Sequence, residues 1–176
     1  LSALARCQRD VLDLPGTASV IVLIGINDIS WPGTAFARDQ PRPTLADLQA
    51  GYRTLAQRAQ ARGVRVIGAT LPPFAGALPG TPLQDYYQPE KDALRQQLNA
   101  WLRTDSPFDA VIDLDAALRD PAQPSRMAAA YDSGDHLHPG DAGNRAMAEA
   151  VDLGVLKGPS TQGGTGVRAL SGRKGI

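Results

Sequence analysis

One cysteine, two histidines and no net charge are the first constraints in this 176-residue chain. With Cys7 alone, a disulfide framework and a cysteine-based zinc site are both excluded within one chain. Cys7 falls on the apolar face of a helical pattern, which reads as a buried thiol rather than a reactive one. Basic and acidic residues balance at 18 each, and the sequence pI is about 6.9. That balance argues against electrostatic capture of nucleic acid or of an anionic membrane surface. No apolar run approaches the roughly 20 residues of a membrane-spanning helix. The longest, residues 20–24, has the length of a buried strand. There is no internal repeat and no secretory signal pattern. Residue 1 is a Leu inside a helical pattern, so the start of this chain need not be the start of the gene product, and no compartment is assigned.

What is present is a globular balance, 43% hydrophobic and 20% charged, in a chain long enough for one domain with one core. Residues 1–13 read as a helix capped by Ser2, with Leu4, Cys7 and Val11 on one face. Residues 19–24 read as a strand, apolar at nearly every position, as in a parallel strand buried on both faces. Residues 25–33 read as the loop after it. Residues 44–62 form the clearest helix: Thr44 and Asp47 make a capping box, Leu48, Tyr52, Leu55 and Ala59 a stripe, and Gly63 the stop. Residues 64–69 read as a second strand and residues 70–82 as a loop rich in Pro and Gly. A helix starts at Pro89, with Leu94, Leu98, Trp101 and Leu102 as its buried face. Residues 110–114 read as a third strand, 120–138 as a short helix and loop, and 139–153 as the last helix. The alternation predicts a three-layer α/β/α fold with a parallel sheet over residues 1–156. Residues 157–176 are Gly-rich without periodicity and read as a flexible tail.

Two loops hold chemistry, and both are placed where ligands bind in open parallel sheets, beyond the C-terminal strand ends. The first is Gly25-Ile26-Asn27-Asp28, whose Asn27 offers a neutral amide donor suited to a developing oxyanion. The second is Asp135-His136-Leu137-His138-Pro139. Asp135 and His138 stand three residues apart, which lets the carboxylate hold the imidazole in one tautomer and stabilise the imidazolium. Together these blocks resemble the SGNH (GDSL-type) hydrolases, whose third block reads G-x-N-D and whose last reads D-x-x-H, often followed by Pro. Asp141-Ala142-Gly143 is similar to the start of that family's last helix. The resemblance implies a flavodoxin-like fold and a serine esterase acting through an acyl-enzyme on a small ester, with no cofactor. His138 would be the general base and then acid, Asp135 its orienting partner, and Asn27 a donor to the oxyanion.

The same resemblance places a G-D-S block with the nucleophile, and a second block with an oxyanion Gly, upstream of Gly25. No G-D-S occurs in this chain. By that pattern the chain matches the C-terminal two-thirds of such a domain and lacks its N-terminal strands. Either an inactive remnant or a hydrolase completed by a separate chain then stands beside the active enzyme as an alternative. Ser30, Ser133 and Ser171 are possible substitutes, but none lies in a strand-to-helix turn that would activate its hydroxyl. The nucleophile is therefore left unassigned. A metal site built from His136, His138, Asp113, Asp115, Asp132 and Asp135 is disfavoured, because only two histidines are available and no second-shell pattern is visible. Asp113 and Asp115 read as the end of a strand and the cap of a turn. Trp31, Tyr86, Tyr87 and the stretch Leu71-Pro72-Pro73-Phe74 read equally as an acyl-pocket lining or as packing aromatics. With only three strands, residues 19–24 would stand at a sheet edge, where a long apolar strand invites aggregation. Pairing with another segment of the protein, a second copy, or residues 167–170 is expected.

Overall fold

A computed structural model describes residues 2–157. The stretch read as a tail, apart from Lys157, lies outside the described residues, as do residues 167–170 and Ser171.

Three strands form one parallel sheet in the order β1-β2-β3, with β1 at Ser19–Val22, β2 at Arg65–Ala69 and β3 at Ala110–Ile112. Ser19 pairs with Arg65 and Val22 with Gly68, while Ile67 pairs with Ala110 and Ala69 with Ile112. Because the strands are parallel, their C-terminal ends open on one side. The side chains of β2 alternate between two cores. Val66 joins Leu48, Tyr52, Leu55, Leu98, Trp101 and Leu102 on one face. Ile67 and Ala69 join Ile112 and Leu114 on the other, against Met147, Val151 and Val155. Leu98, Val66 and Ile67 are fully buried. Each such side chain contributes about 1.5–3 kcal/mol relative to exposure. Helices α1 (Ala3–Cys7), α3 (Leu45–Gln60) and α4 (Pro89–Thr104) supply the first layer, and α6 (Asp141–Glu149) and α7 (Leu153–Lys157) the second. The intervening short helices are α2 (Ile26–Ser30) and α5 (Leu114–Leu118).

The expected local signals operate in α3. Thr44 and Asp47 form the reciprocal capping box. At its far end Val64 N–H donates to Ala59 O and Gly63 N–H to Gln60 O, with Gly63 at φ 71°. This is the Schellman closure, which favours Gly because a Cβ clashes at positive φ.

Several expectations are corrected. The first helix is α-helical only to Cys7. Residues Gln8–Leu12 form a π-helical turn, closed by Asp13 N–H on Gln8 O. Residues 25–33 are not a loop throughout, since α2 begins one residue after Gly25. The helix placed within 120–138 instead occupies Leu114–Leu118, because Asp113 caps it by accepting from Ala116 N–H. Asp115 caps nothing. It is 5% exposed and receives Arg95 at 2.6 Å and Arg103 at 2.6 Å. Strand β1 is not buried on both faces: Ile21 is 44% exposed, and among the described residues β1 pairs only with β2.

Candidate active site

Gly25, three residues past the end of β1, is the N-cap of α2 at φ 117°. A Cβ there would stand 2.9 Å from the Tyr52 hydroxyl, which donates to Ile24 O. Both the backbone angle and the close approach require Gly. The turn puts Asn27 in the first turn of α2, exposed, beyond the C-terminal end of β1. Its Oδ1 accepts from the Tyr86 hydroxyl at 2.6 Å. Burial, with the nearby Asp28 carboxylate, pushes the Tyr86 phenol up to about 12.

The second loop is organised by two carboxylates. His138 Nδ1 lies 2.6 Å from Asp135 Oδ2. Asp135 Oδ1 also accepts from Ser133 Oγ at 3.0 Å, Leu137 N–H at 2.9 Å and His138 N–H at 2.8 Å. Burial pushes the Asp135 carboxyl up, but the His138 ring, the two backbone donors and Ser133 outweigh it and hold it well below the usual carboxylate range. The His138 ring is 69% exposed, so Nε2 is accessible. His136 forms a second pair, with Nδ1 on the Asp132 carboxylate and its own N–H on Asp132 Oδ1 at 3.0 Å. His136 takes φ 60°, in the left-handed region where Asn, Asp and His are enriched among non-Gly residues. Among the described residues no three His, Cys, Asp or Glu side chains converge into a group that could hold a metal ion.

A hydrophobic pedestal joins the loops. Ile26, beside Asn27, and Leu137, between the two histidines, both pack on the cluster of Phe74, Ala77 and Tyr86. Leu78 N–H donates to Asp135 O at 2.8 Å. Asn27 and the Asp135–His138 pair are thus held by one segment, the loop after β2. That loop is fixed from below by α4. Asn99 brackets Leu71, accepting from its N–H and donating to its O at 2.8 Å each, and the fully buried Arg95 donates to Leu71 O at 2.9 Å. Arg95 is itself held between Asp92 and Asp115.

Of the aromatics, Phe74 and Tyr86 are buried packing residues, Tyr87 packs against Phe74, and Trp31 stacks on Phe36 at the surface. Neither described serine candidate is hydrogen-bonded to the imidazole. Ser30 is fully buried, and Ser133 points its hydroxyl at Asp135. Among the described residues no serine hydroxyl is hydrogen-bonded to His138. Sequence reasoning missed Lys91, which is buried and donates to Ser30 O at 2.6 Å and Asp85 O at 2.7 Å. Nothing local in the sequence marks it, since its partners are backbone atoms.

A family model described as GDSL-like lipase/acylhydrolase matches residues 1–151. A solved structure assigned as an acylhydrolase from Bacteroides fragilis aligns with TM-score 0.63 at 20% identity, covering 88% of this chain and 68% of its own. A GDSL-like lipase from Bacteroides thetaiotaomicron aligns with TM-score 0.62 at 18% identity, covering 88% and 69%. A variant of an acetyl-xylooligosaccharide esterase from Geobacillus stearothermophilus aligns with TM-score 0.55 at 22% identity, covering 84% and 63%. Among curated proteins none matches.

Proposed function

Because the chain belongs to the GDSL-like lipase/acylhydrolase family, we propose that it serves hydrolysis of small carboxylic esters through a serine acyl-enzyme. His138 Nε2 takes the proton of the attacking serine hydroxyl as the tetrahedral intermediate forms. It returns that proton to the leaving alcohol, then activates the water that releases the acid. Asp135 keeps the Nδ1 proton in place and balances the imidazolium. Asn27 donates to the oxyanion. The observation that carries this reading is the Asp135–His138 contact of 2.6 Å with the other edge of the ring exposed. The acetyl-xylooligosaccharide esterase among the similar structures supports a short acyl group.

A second reading has its own support. No described serine reaches His138, and the chain spans 68% of the Bacteroides fragilis structure. In that reading these 176 residues supply the base and one oxyanion donor, and the serine comes from a further segment or a separate chain. Labelling the complete gene product with a serine-directed phosphonate, followed by peptide mass mapping, tests both readings. We expect one labelled serine outside residues 2–157. A label on Ser30 or Ser133 contradicts the assignment, and no label together with no nitrophenyl acetate turnover favours an inactive remnant. In an active protein Asn27→Ala is expected to lower kcat about a hundredfold to a thousandfold.

A further inference from the structure

Asn27 can act on an oxyanion only in one orientation. Its carboxamide has a donor end and an acceptor end of almost equal size, and half a turn about the last side-chain bond exchanges them. The wrong end would present oxygen to oxygen. An exposed asparagine on a five-residue helix has no packing of its own to choose between them.

Tyr86 makes the choice. Its hydroxyl has one proton to give, and that proton goes to Asn27 Oδ1 at 2.6 Å, leaving both amide protons for another acceptor. Burial raises the phenol to about 12, so the hydroxyl keeps the proton that this bond uses. Tyr86 is 3% exposed and sits edge-on to Phe74, with ring centroids 6.2 Å apart. Lys91 fixes the distance between the two partners. Lys91 is 1% exposed, and the Asp85 carboxylate acts on its ammonium only through space. It donates instead to Ser30 O, at the end of the helix that carries Asn27, and to Asp85 O, directly before Tyr86. A buried cation whose hydrogen bonds go to two carbonyls is an expensive way to fill space, because an apolar side chain of the same length would pack there without desolvation. Its two bonds join the two segments that the Tyr86–Asn27 bond spans.

We infer that Tyr86 and Lys91 are positioning residues that hold the Asn27 carboxamide with its NH2 group toward the reacting carbonyl oxygen. The inference rests on the role proposed for Asn27, and the test separates the two. The chain has three asparagines, Asn27, Asn99 and Asn144, so their side-chain amide resonances are assignable in an isotope-labelled sample. Tyr86→Phe keeps the ring packing. It is expected to shift the Asn27 amide pair, leave those of Asn99 and Asn144 in place, and lower kcat on nitrophenyl acetate about tenfold or more, with KM within about twofold. Lys91→Met is expected to move the same Asn27 resonances. Unmoved Asn27 resonances in Tyr86→Phe overturn the inference whatever the activity. Moved resonances with unchanged kcat in an active protein overturn it together with the oxyanion role of Asn27. A wild type without turnover overturns the functional reading instead, and the amide shifts still decide whether Tyr86 orients Asn27.

Discussion

Asp135 accepts four hydrogen bonds, from Ser133 Oγ, Leu137 N–H, His138 N–H and His138 Nδ1. The same bonds that fold the loop also stabilise the charged carboxylate. Asp113 is similar. Burial raises its carboxyl, but Arg103, Ala116 N–H and Thr70 bring it down to about 2. A carboxyl whose folded value lies below its unfolded value of about 3.9 binds fewer protons when folded. Its stabilisation is complete above that pH and drains away as pH falls toward the folded value. The urea midpoint is therefore expected to hold down to about pH 4 and to fall steadily toward pH 2. Asp113→Asn should lower the midpoint at neutral pH and flatten part of the acid limb. An acid limb unchanged in that variant would remove Asp113 from the account. At this scale the sequence was legible where short spacing sets local geometry, as in the turn at Gly25 and the contact of Asp135 with His138. Tyr86 and Lys91 were not legible as positioning groups. Their partners Asn27 and Ser30 lie about sixty residues away, and only the packed loop brings them together.

The elements show the same division. α3 was readable to within two residues because its capping box and its Gly stop are local devices. α2 was hidden, since Gly, Asn and Asp in succession are turn formers. It forms because Gly25 turns the chain and Lys91 and the Phe74 cluster hold Ser30 and Ile26. The polar face of α4 was hidden too: Lys91, Asp92, Arg95 and Asn99 are buried, against every single-residue preference. They are tolerated because each finds partners: Lys91 and Asn99 bond backbone atoms, Arg95 donates to Asp92, Asp115 and Leu71 O, and Asp92 accepts from Arg95, Gln96 and Ser125. Strand β1 is the element whose surroundings count most. Ile21, Leu23 and Ile24 are exposed, and an apolar groove lined by Cys7, Val11, Val22 and Leu55 runs beside it. We propose that another segment or chain pairs with this edge, which has no second partner strand among the described residues. Amide hydrogen exchange over residues 19–22 tests this. With both edges paired, all four amides should be protected. A bare edge would leave alternate amides exchanging at loop rates, which would defeat the proposal.

At the scale of the molecule, the described residues form a three-strand parallel sheet with helices on both faces, Asn27 follows the C-terminal end of β1, and the loop after β2 contacts both Asn27 and the Asp135 loop. The alternation of elements made this layering readable from the sequence. The edge position of β1 was readable too, from the count of three strands, but its exposed face at Ile21 was not, because an apolar run reads as buried on both faces. The central claim is that His138, and not the equally carboxylate-paired His136, carries the proton in ester hydrolysis. The direct measurement is nitrophenyl acetate turnover by the complete gene product with each histidine replaced in turn. His138→Ala should lower kcat by about ten-thousandfold or more, with the fold intact by circular dichroism, while His136→Ala keeps kcat within about tenfold. Turnover that survives His138→Ala, or that is lost only in His136→Ala, would contradict the account.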